Sequence, residues 1–174
     1  DACGWSLMES PLATSGSSLL YYGNPEAMNF DCGWNSGTAT SEEVTLLPGV
    51  DYTLKFSHYQ DTESGTTYDK LWVTAIVDNV ETTLWTKSDM PTGAMNTWKT
   101  YELDVSGLAG KSFKLKWYFD SYDGVINDKL GVMVDAVSII SSCQPVSCSA
   151  DNDCTDDVPV TTGTCSPTGC SWSL

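Results

Sequence analysis

The segment 120–128 concentrates oxygen-bearing side chains between two predicted strands. Asp120, Asp123, Asn127 and Asp128 are close in sequence, and Gly124 among them favours a turn. Calcium takes about six to eight hard oxygen ligands, some of them backbone carbonyls, and a loop of this composition can supply them. The sequence therefore predicts a structural calcium site in this loop. A polar loop that uses Asp and Asn only for turn geometry is the alternative interpretation.

Aromatic side chains are the second group that could act on a ligand. The chain has seven tryptophans. Tyr59, Trp72 and Tyr118 fall among lysine, serine and threonine in alternating segments, whereas Trp117 has the parity of Phe113 and is predicted to lie in the core. Exposed rings beside polar groups stack on sugars or anchor protein partners. Tyr59, Trp72 and Tyr118 are therefore the candidate ligand-binding residues; the alternative is that they pack under neighbouring loops.

The sequence does not indicate a catalytic site. His58 is the only histidine, and it shares the parity of Leu54 and Phe56, which predicts a structural position. Motifs of serine hydrolases, zinc proteases and nucleotide-binding enzymes do not occur. All eight basic residues are lysines, so the arginine clamp for phosphate or carboxylate substrates is missing. We expect no enzymatic activity, although a facing pair among the 23 acidic residues is an arrangement that a sequence does not reveal.

The elements that position these residues are predicted to be β-strands. Apolar and polar residues alternate with a period of two over 53–59, 70–75 and 112–119, as in half-buried antiparallel strands. Residues 132–140 form a continuous β-branched run, as expected for a strand covered on both faces. Further candidate strands, separated by Gly, Pro, Asn and Asp, are 19–22, 43–47, 81–86 and 98–105. This pattern predicts an all-β sandwich or barrel.

The composition restricts the function classes. The chain of 174 residues has a formal charge of −15 at pH 7. Because affinity for nucleic acids rests on cations that neutralise phosphates, this charge argues against binding to DNA or RNA. No apolar run approaches the ~20 residues that cross a bilayer, so we expect no membrane span. A hydrophobic share of 41% is typical of a globular protein and too high for a disordered chain.

A series of short motifs runs through residues 1–143: CGW at 3–5, NSGT at 35–38, YTLKF at 52–56, YDKLWV at 68–73, LW at 84–85, Trp98, LDV at 103–105, AGK at 109–111 and GVMVDAVSI at 131–139. The series resembles MAM and MAM-like jelly-roll domains, whose bacterial relatives occur in secreted proteins. The resemblance implies a two-sheet antiparallel jelly-roll sandwich over residues 1–142. Jelly-roll modules commonly bind a structural cation near the ends of the sandwich, which makes Asp69 and Asp135 secondary candidate calcium ligands.

Seven cysteines indicate disulfides and an oxidising compartment. They are Cys3, Cys32, Cys143, Cys148, Cys154, Cys165 and Cys170. Zinc is the alternative, but only His58 could supplement the thiolates and no paired C-x-x-C occurs. One possible disulfide joins Cys3 to Cys32. The alternative joins Cys3 to Cys143, because the first and last strands of a jelly roll tend to be neighbours. The odd number leaves one thiol free or bridged to another chain.

The segment from residue 143 onward has a different character. Hydrophobic alternation stops, and a segment so poor in apolar residues needs covalent links to hold it. Its cysteine spacing is similar to short cysteine-rich repeats in secreted proteins of deltaproteobacteria, except that Val160 lies about where those repeats have a further cysteine. We therefore expect two domains, a MAM-like jelly roll over 1–142 and a cysteine-rich tail over 143–174.

These patterns together predict a non-catalytic extracellular binding or adhesion module, secreted or on a bacterial cell surface. Its partner would be a glycan or a protein, and calcium would stabilise its loops. One alternative is a structural subunit of an extracellular fibre or surface layer, which binds other copies of itself through the odd cysteine. The other alternative is an accessory domain of a secreted protease or glycosidase.

Overall fold

The computed structural model describes residues 2–142, 162–166 and 169–173; for residue 142 and the last two segments it describes the backbone only. The chain divides into two compact units, Asp1–Ile140 and Ser141–Leu174. Apart from two 3-10 turns, Lys87–Asp89 and Ser106–Leu108, the described regular elements are all β-strands.

The first unit is built from two antiparallel sheets. One sheet contains β1 (Gly4–Glu9), β2 (Ser18–Gly23), β5 (Asp51–Asp61), β8 (Lys99–Asp104) and β10 (Gly131–Ser142). The strands of this sheet follow the order β1-β2-β10-β5-β8. The other sheet contains β3 (Ser36–Thr40), β4 (Val44–Thr45), β6 (Lys70–Val77), β7 (Val80–Thr86) and β9 (Ser112–Asp120).

The second sheet has the order β3-β9-β6-β7, and β4 pairs with β9 as well. Along the chain, β5 belongs to the first sheet, β6 and β7 to the second, β8 to the first, β9 to the second and β10 to the first. These crossings between two antiparallel sheets make the first unit a jelly-roll sandwich, which confirms the predicted fold class. β7 follows β6 through a two-residue hairpin in which Asp78 and Asn79 have φ of 50° and 65°, as a type I′ turn requires.

The core lies between the two sheets and confirms the predicted alternation. Leu54 and Phe56 of β5, Leu71 and Val73 of β6, and Trp117 of β9 all point inward and are buried. Each side chain of this size contributes about 1.5–3 kcal/mol on burial. Aromatic rings fill much of the space: the rings of Tyr22 and Phe119 lie 4.4 Å apart, and those of Phe30 and Phe119 lie 5.6 Å apart, between centroids.

Strand β10 is covered on both faces only over its first part. Val132 and Val134 belong to the main core, whereas Met133 points to the other face and packs in a second cluster with Leu19 and Tyr21. Further along the strand Val137 is 44% exposed. The prediction of a doubly covered strand therefore holds for 132–135 and is wrong for residues 137, 138 and 140, which are exposed.

Two features of the first unit concern its N-terminal part. Cys3 and Cys32 form a disulfide with a Cα–Cα distance of 5.9 Å, which confirms that pairing and excludes the alternative of Cys3 with Cys143. Strands β1 and β3 are absent from the predicted set. Trp5 of β1 ties the two sheets together, because its Nε1 donates to the backbone oxygen of Gly37 in β3 at 3.1 Å.

The second unit contains a hairpin of β11 (Thr162–Ser166) and β12 (Gly169–Ser173). The antiparallel register places Cys165 directly opposite Cys170. Cys143, Cys148 and Cys154 lie outside the described residues, so the disulfides of the tail stay predictions.

Candidate functional site

The outer face of the second sheet carries an aromatic pair near its centre. Trp72 of β6 and Tyr118 of β9 are directly opposite in the register. Their ring centroids are 5.3 Å apart and the ring planes differ by 25°, so the two rings stack on each other and form one compact aromatic pair. Both residues alternate with buried neighbours, Leu71, Val73 and Trp117, and the pleat therefore directs their rings away from the core.

Hydroxyl groups flank this pair across the sheet. Thr38 of β3 is opposite Tyr118, and Thr86 of β7 is opposite Trp72, so four strands contribute one row of side chains. A stacked aromatic centre with hydroxyls at both ends suits a ligand that has apolar faces and many polar substituents.

Tyr122, just after β9, extends the aromatic surface beyond the sheet. Its ring centroid lies 6.3 Å from that of Trp72, and the Nζ of Lys70 lies 4.6 Å from the centroid of Tyr122. The φ of Tyr122 is 67°, in the left-handed region that a bulky residue adopts only when its surroundings enforce it. The Tyr122 side chain is 47% exposed and is therefore available to a ligand.

One carboxylate orients three of the rings. Asp120 Oδ1 accepts hydrogen bonds from Trp34 Nε1 at 3.0 Å and from the backbone N of Tyr122 at 2.9 Å. Asp120 Oδ2 accepts from the hydroxyl of Tyr118 at 2.9 Å. Burial raises the pKa of Tyr118, and the hydrogen bond to Asp120 acts in the same direction, so the phenol stays a donor. Trp34 is 72% exposed although its indole N–H is hydrogen-bonded to Asp120.

The loop that presents Trp34 is fixed to the core. Asn35 Nδ2 donates to the backbone oxygen of Phe30 at 3.0 Å, and Asn35 Oδ1 accepts from the buried hydroxyl of Tyr22 at 2.7 Å. The backbone N of Asn35 donates to Ser121 Oγ at 3.0 Å, which joins this loop to the one after β9. The aromatic surface is therefore assembled before any ligand binds.

The structure brings together two of the three predicted ligand-binding residues. Trp72 and Tyr118 are neighbours on the second sheet, but Tyr59 lies on β5 of the first sheet. Tyr59 is half-buried against Trp98, at a centroid distance of 5.8 Å. The parity of Tyr59 was assigned correctly, yet parity does not say which sheet a strand belongs to.

Sequence reasoning missed Trp34 and Tyr122. Both lie in loops, where no alternation marks a residue as exposed. A sequence signal existed for Tyr122 only. This residue follows Asp120 by two positions, and an aspartate at this spacing commonly accepts a hydrogen bond from the backbone N–H of a turn.

The predicted calcium ligands do not form one group. The carboxylate of Asp120 is occupied by the ring contacts above. Asp135 on β10 accepts from Thr14 Oγ1 and from the backbone N of Ser15, both at 2.9 Å, and thus holds the loop after β1.

The remaining predicted ligands lie in the loop after β9. Asp128 is exposed, whereas Asp123 and Asn127 are joined by a hydrogen bond of 3.2 Å from Asn127 Nδ2 to the backbone oxygen of Asp123. Among the described residues no group of three or more His, Cys, Asp or Glu side chains is placed to hold a metal ion.

His58 occupies the structural position that the sequence predicts. The ring lies in the core, 5.2 Å from Trp85 and 6.0 Å from Tyr101 between centroids, and is 1% exposed. Neither ring nitrogen has a hydrogen-bond partner in the described part of the chain. Burial lowers the pKa of His58 to about 3, so the imidazole is neutral and out of reach of a substrate.

Comparisons with solved structures agree with the fold. TmCBM61 in complex with β-1,4-galactotriose is similar with a TM-score of 0.51 and 14% identity, over 79% of this chain and 82% of that chain. The K1 cleaved adhesin domain of Lys-gingipain from Porphyromonas gingivalis W83 is similar with a TM-score of 0.51 and 15% identity, over 82% and 86%. A carbohydrate-binding module described as a member of the β-sandwich superfamily has a TM-score of 0.50 and 12% identity, over 80% and 54%.

These similarities define the class of the first unit, a jelly-roll β-sandwich of the architecture used by carbohydrate-binding modules. The sequence matches no family model, and a comparison with curated proteins finds no match. In the part of the chain that the structure describes, no helix has the length and apolar character to cross a membrane.

Proposed function

We propose that this chain is a non-catalytic carbohydrate-binding module that binds its ligand on the outer face of the second sheet. The observation that carries the proposal is the stacked Trp72–Tyr118 pair on this outer face, with Tyr122 beside it. Structures with the same fold include carbohydrate-binding modules, one of them bound to a galactotriose, and this supports the proposal. A secreted or cell-surface location and the MAM-like relationship are parts of the same proposal.

The chemistry of binding follows from the side chains. The C–H faces of pyranose rings stack on Trp72, Tyr118 and Tyr122, while sugar hydroxyls bond to the free acceptor capacity of Asp120 and to the ammonium of Lys70. Because Asp120 already fixes the rings, little side-chain entropy is lost when the ligand binds. No bond is made or broken.

A glycan array followed by calorimetry tests the proposal. We expect the array to identify a neutral polysaccharide or oligosaccharide, and Trp72→Ala to weaken its binding at least about tenfold, or ~1.4 kcal/mol, since a central ring in an interface carries much of the energy. Circular dichroism should show that the variant keeps the fold, because Trp72 lies outside the core.

The matched control is Tyr59→Ala, which removes an aromatic ring from the other sheet. Its affinity should stay within about twofold of the wild type, although its stability falls as the contact with Trp98 is lost. A folded protein that binds no glycan on the array, or a Trp72→Ala variant with unchanged affinity, would overturn the proposal.

A protein ligand on the same face is the second candidate. The observation that favours it is the exposure of Trp34, at 72%, beside Tyr122, because exposed aromatic residues are enriched in protein interfaces. The similarity to the adhesin domain of Lys-gingipain supports this candidate. The glycan array separates the two candidates: a glycan ligand gives a signal on the array, whereas a ligand that is only a protein gives none.

A further inference from the structure

Two buried side-chain oxygens, one in the loop 62–69 and one in the loop 121–127, accept no hydrogen bond from the described residues. Asp69 is 1% exposed, and its Oδ1 makes no hydrogen bond in the described part of the chain. Asn127 is 2% exposed, and its Oδ1 likewise makes no hydrogen bond with the described residues. A buried acceptor without a donor loses its hydration and gains nothing in return, so each of these atoms requires an explanation.

Hydrogen bonds join the two loops around these atoms. The backbone N of Asp69 donates to the backbone oxygen of Ser121 at 3.2 Å. Ser121 Oγ donates to the backbone oxygen of Asp123 at 2.7 Å, which also accepts from Asn127 Nδ2 at 3.2 Å. Asp69, Ser121, Asp123 and Asn127 therefore form one hydrogen-bonded cluster that joins the two loops.

The charge in this region is negative. Burial raises the pKa of Asp69 to about 6; the carboxylates of Glu63 and Asp123 act in the same direction, against a hydrogen bond from the Glu63 backbone and the ammonium of Lys87. Lys87 is the one cation facing Asp69 among these groups. Its Nζ donates to the backbone oxygens of Glu63 and Tyr68 at 2.6 and 3.1 Å. The ammonium of Lys87 thus faces the carboxylates of Asp69 and Glu63, and the carboxylate of Asp123 adds a third negative charge near Asp69.

We propose that a divalent cation, calcium by its preference for oxygen, binds between the loops 62–69 and 121–127, with Asp69 Oδ1, Asn127 Oδ1 and the carboxylate of Asp123 as protein ligands. The donors are all oxygens, as hard cations require, and backbone oxygens and water complete a shell of about six to eight. The cation pairs the unsatisfied acceptors and offsets the excess of negative charge.

This ligand set differs from the one that the sequence predicts. It keeps Asp123 and Asn127, takes in Asp69 from a second loop, and omits Asp120 and Asp135, whose oxygens have donors from the protein. A cation at this place also holds the loop that carries Tyr122. The inference does not depend on glycan binding, and its test uses no glycan.

The test uses the full chain, first treated with a chelator and then titrated with calcium chloride. At about 100-fold excess over the dissociation constant, the melting temperature should rise by roughly 5–10 °C. Terbium, a luminescent analogue, should give a signal sensitised by the nearby tyrosines. Asp69→Asn and Asp123→Asn should each weaken calcium binding at least about tenfold, since each removes a charge from the site.

Asp128→Asn is the matched control, because Asp128 is an exposed carboxylate in the same loop; it should respond as the wild type does. Asp69→Asn is expected to fold, since asparagine has the same shape and tolerates the φ of 50° at this position. If chelator-treated wild type shows neither a shift of melting temperature nor a terbium signal, the proposal is wrong. It is equally wrong if Asp69→Asn responds fully, which would indicate a protonated Asp69 carboxyl instead.

Discussion

At the scale of single residues, Asp120 organises the aromatic surface. Its two oxygens hold Trp34, Tyr118 and the backbone of Tyr122, and hydrogen bonds to a carboxylate are stronger than neutral ones. An acceptor with this role is a positioning residue: it determines where the rings lie, and the rings make most of the contact. The surface is therefore rigid although much of it is solvent-exposed.

His58, in contrast to Asp120, is a polar side chain packed against aromatic rings. Its imidazole is buried between Trp85 and Tyr101 without a hydrogen-bond partner among the described residues. Burial holds the pKa of His58 at about 3 in the folded state, against about 6.5 in the unfolded chain. Below pH 6.5 the unfolded state therefore takes up a proton that the folded state does not, and folding becomes less favourable.

We predict that His58 makes the protein sensitive to acid. Stability should fall by about 1.4 kcal/mol per pH unit from pH 6.5 downward on account of this residue, so about 2–3 kcal/mol is lost at pH 4.5. In His58→Leu this contribution should vanish, while stability at pH 7.5 stays equal or rises because no ring nitrogen is left unpaired. Urea unfolding of both proteins at the two pH values measures the difference; equal pH dependence in both would contradict the prediction.

At the scale of elements, the β9–β6 pairing and the loops after β2 and β9 build the candidate site. The antiparallel register places Trp72 beside Tyr118, and a shift of either strand by one residue would turn the ring of that strand into the core. The loop before β3 adds Trp34, and the Cys3–Cys32 disulfide ties this loop to the start of β1. The sheet alone therefore supplies half of the surface, and the crosslinked loop and the loop after β9 supply the rest.

Removal of this crosslink should affect both stability and binding. The double variant Cys3→Ala/Cys32→Ala should lose about 2–4 kcal/mol of unfolding free energy. The disulfide joins residues 29 positions apart, and without it the unfolded chain gains conformational entropy. Ligand affinity should fall as well, since Trp34 becomes less restrained. Urea midpoints together with calorimetry check both effects; a variant with the wild-type midpoint would show that the disulfide contributes nothing.

At the scale of the whole molecule, charge is the dominant property. The formal charge of −15 at pH 7 keeps copies of the chain apart and repels polyanions. Near the aromatic surface, Lys70 lies over Tyr122, and Lys116 forms an ion pair with Glu81. The positive charge at the site is therefore small, and a neutral ligand fits it better than an anionic one.

We accordingly expect binding of the ligand to be nearly independent of salt. Between about 20 and 500 mM sodium chloride, the affinity for a neutral glycan should change less than about twofold, because stacking and neutral hydrogen bonds are not screened. An acidic polysaccharide should bind more weakly at low salt than at high salt. Calorimetry across this range measures both; a steep loss of affinity with salt would point to an anionic ligand held by the lysines.

Much of the fold was predictable from alternation, and part of the site was not. The segments around Leu54, Leu71 and Trp117 alternate because each strand buries one face, and the structure confirms their inward residues. β1 escaped prediction because most of its residues are only partly buried on both faces. β3 alternates, but its inward positions are Gly37 and Ala39, which are too small to give a hydrophobic signal. Tyr59 has the predicted parity but lies on the first sheet, away from Trp72 and Tyr118, because parity does not assign a strand to a sheet.

The sequence by itself determined the class of architecture, the acidic surface, the inward face of each long strand and the buried place of His58. These properties depend on local pattern and composition, and both can be read along the chain. Only the tertiary structure decided that Trp72 meets Tyr118, that Trp34 and Tyr122 join them through Asp120, and that Asp69 lies beside the loop of Asp123. Such contacts join strands and loops far apart in sequence, and their geometry arises only when two sheets pack.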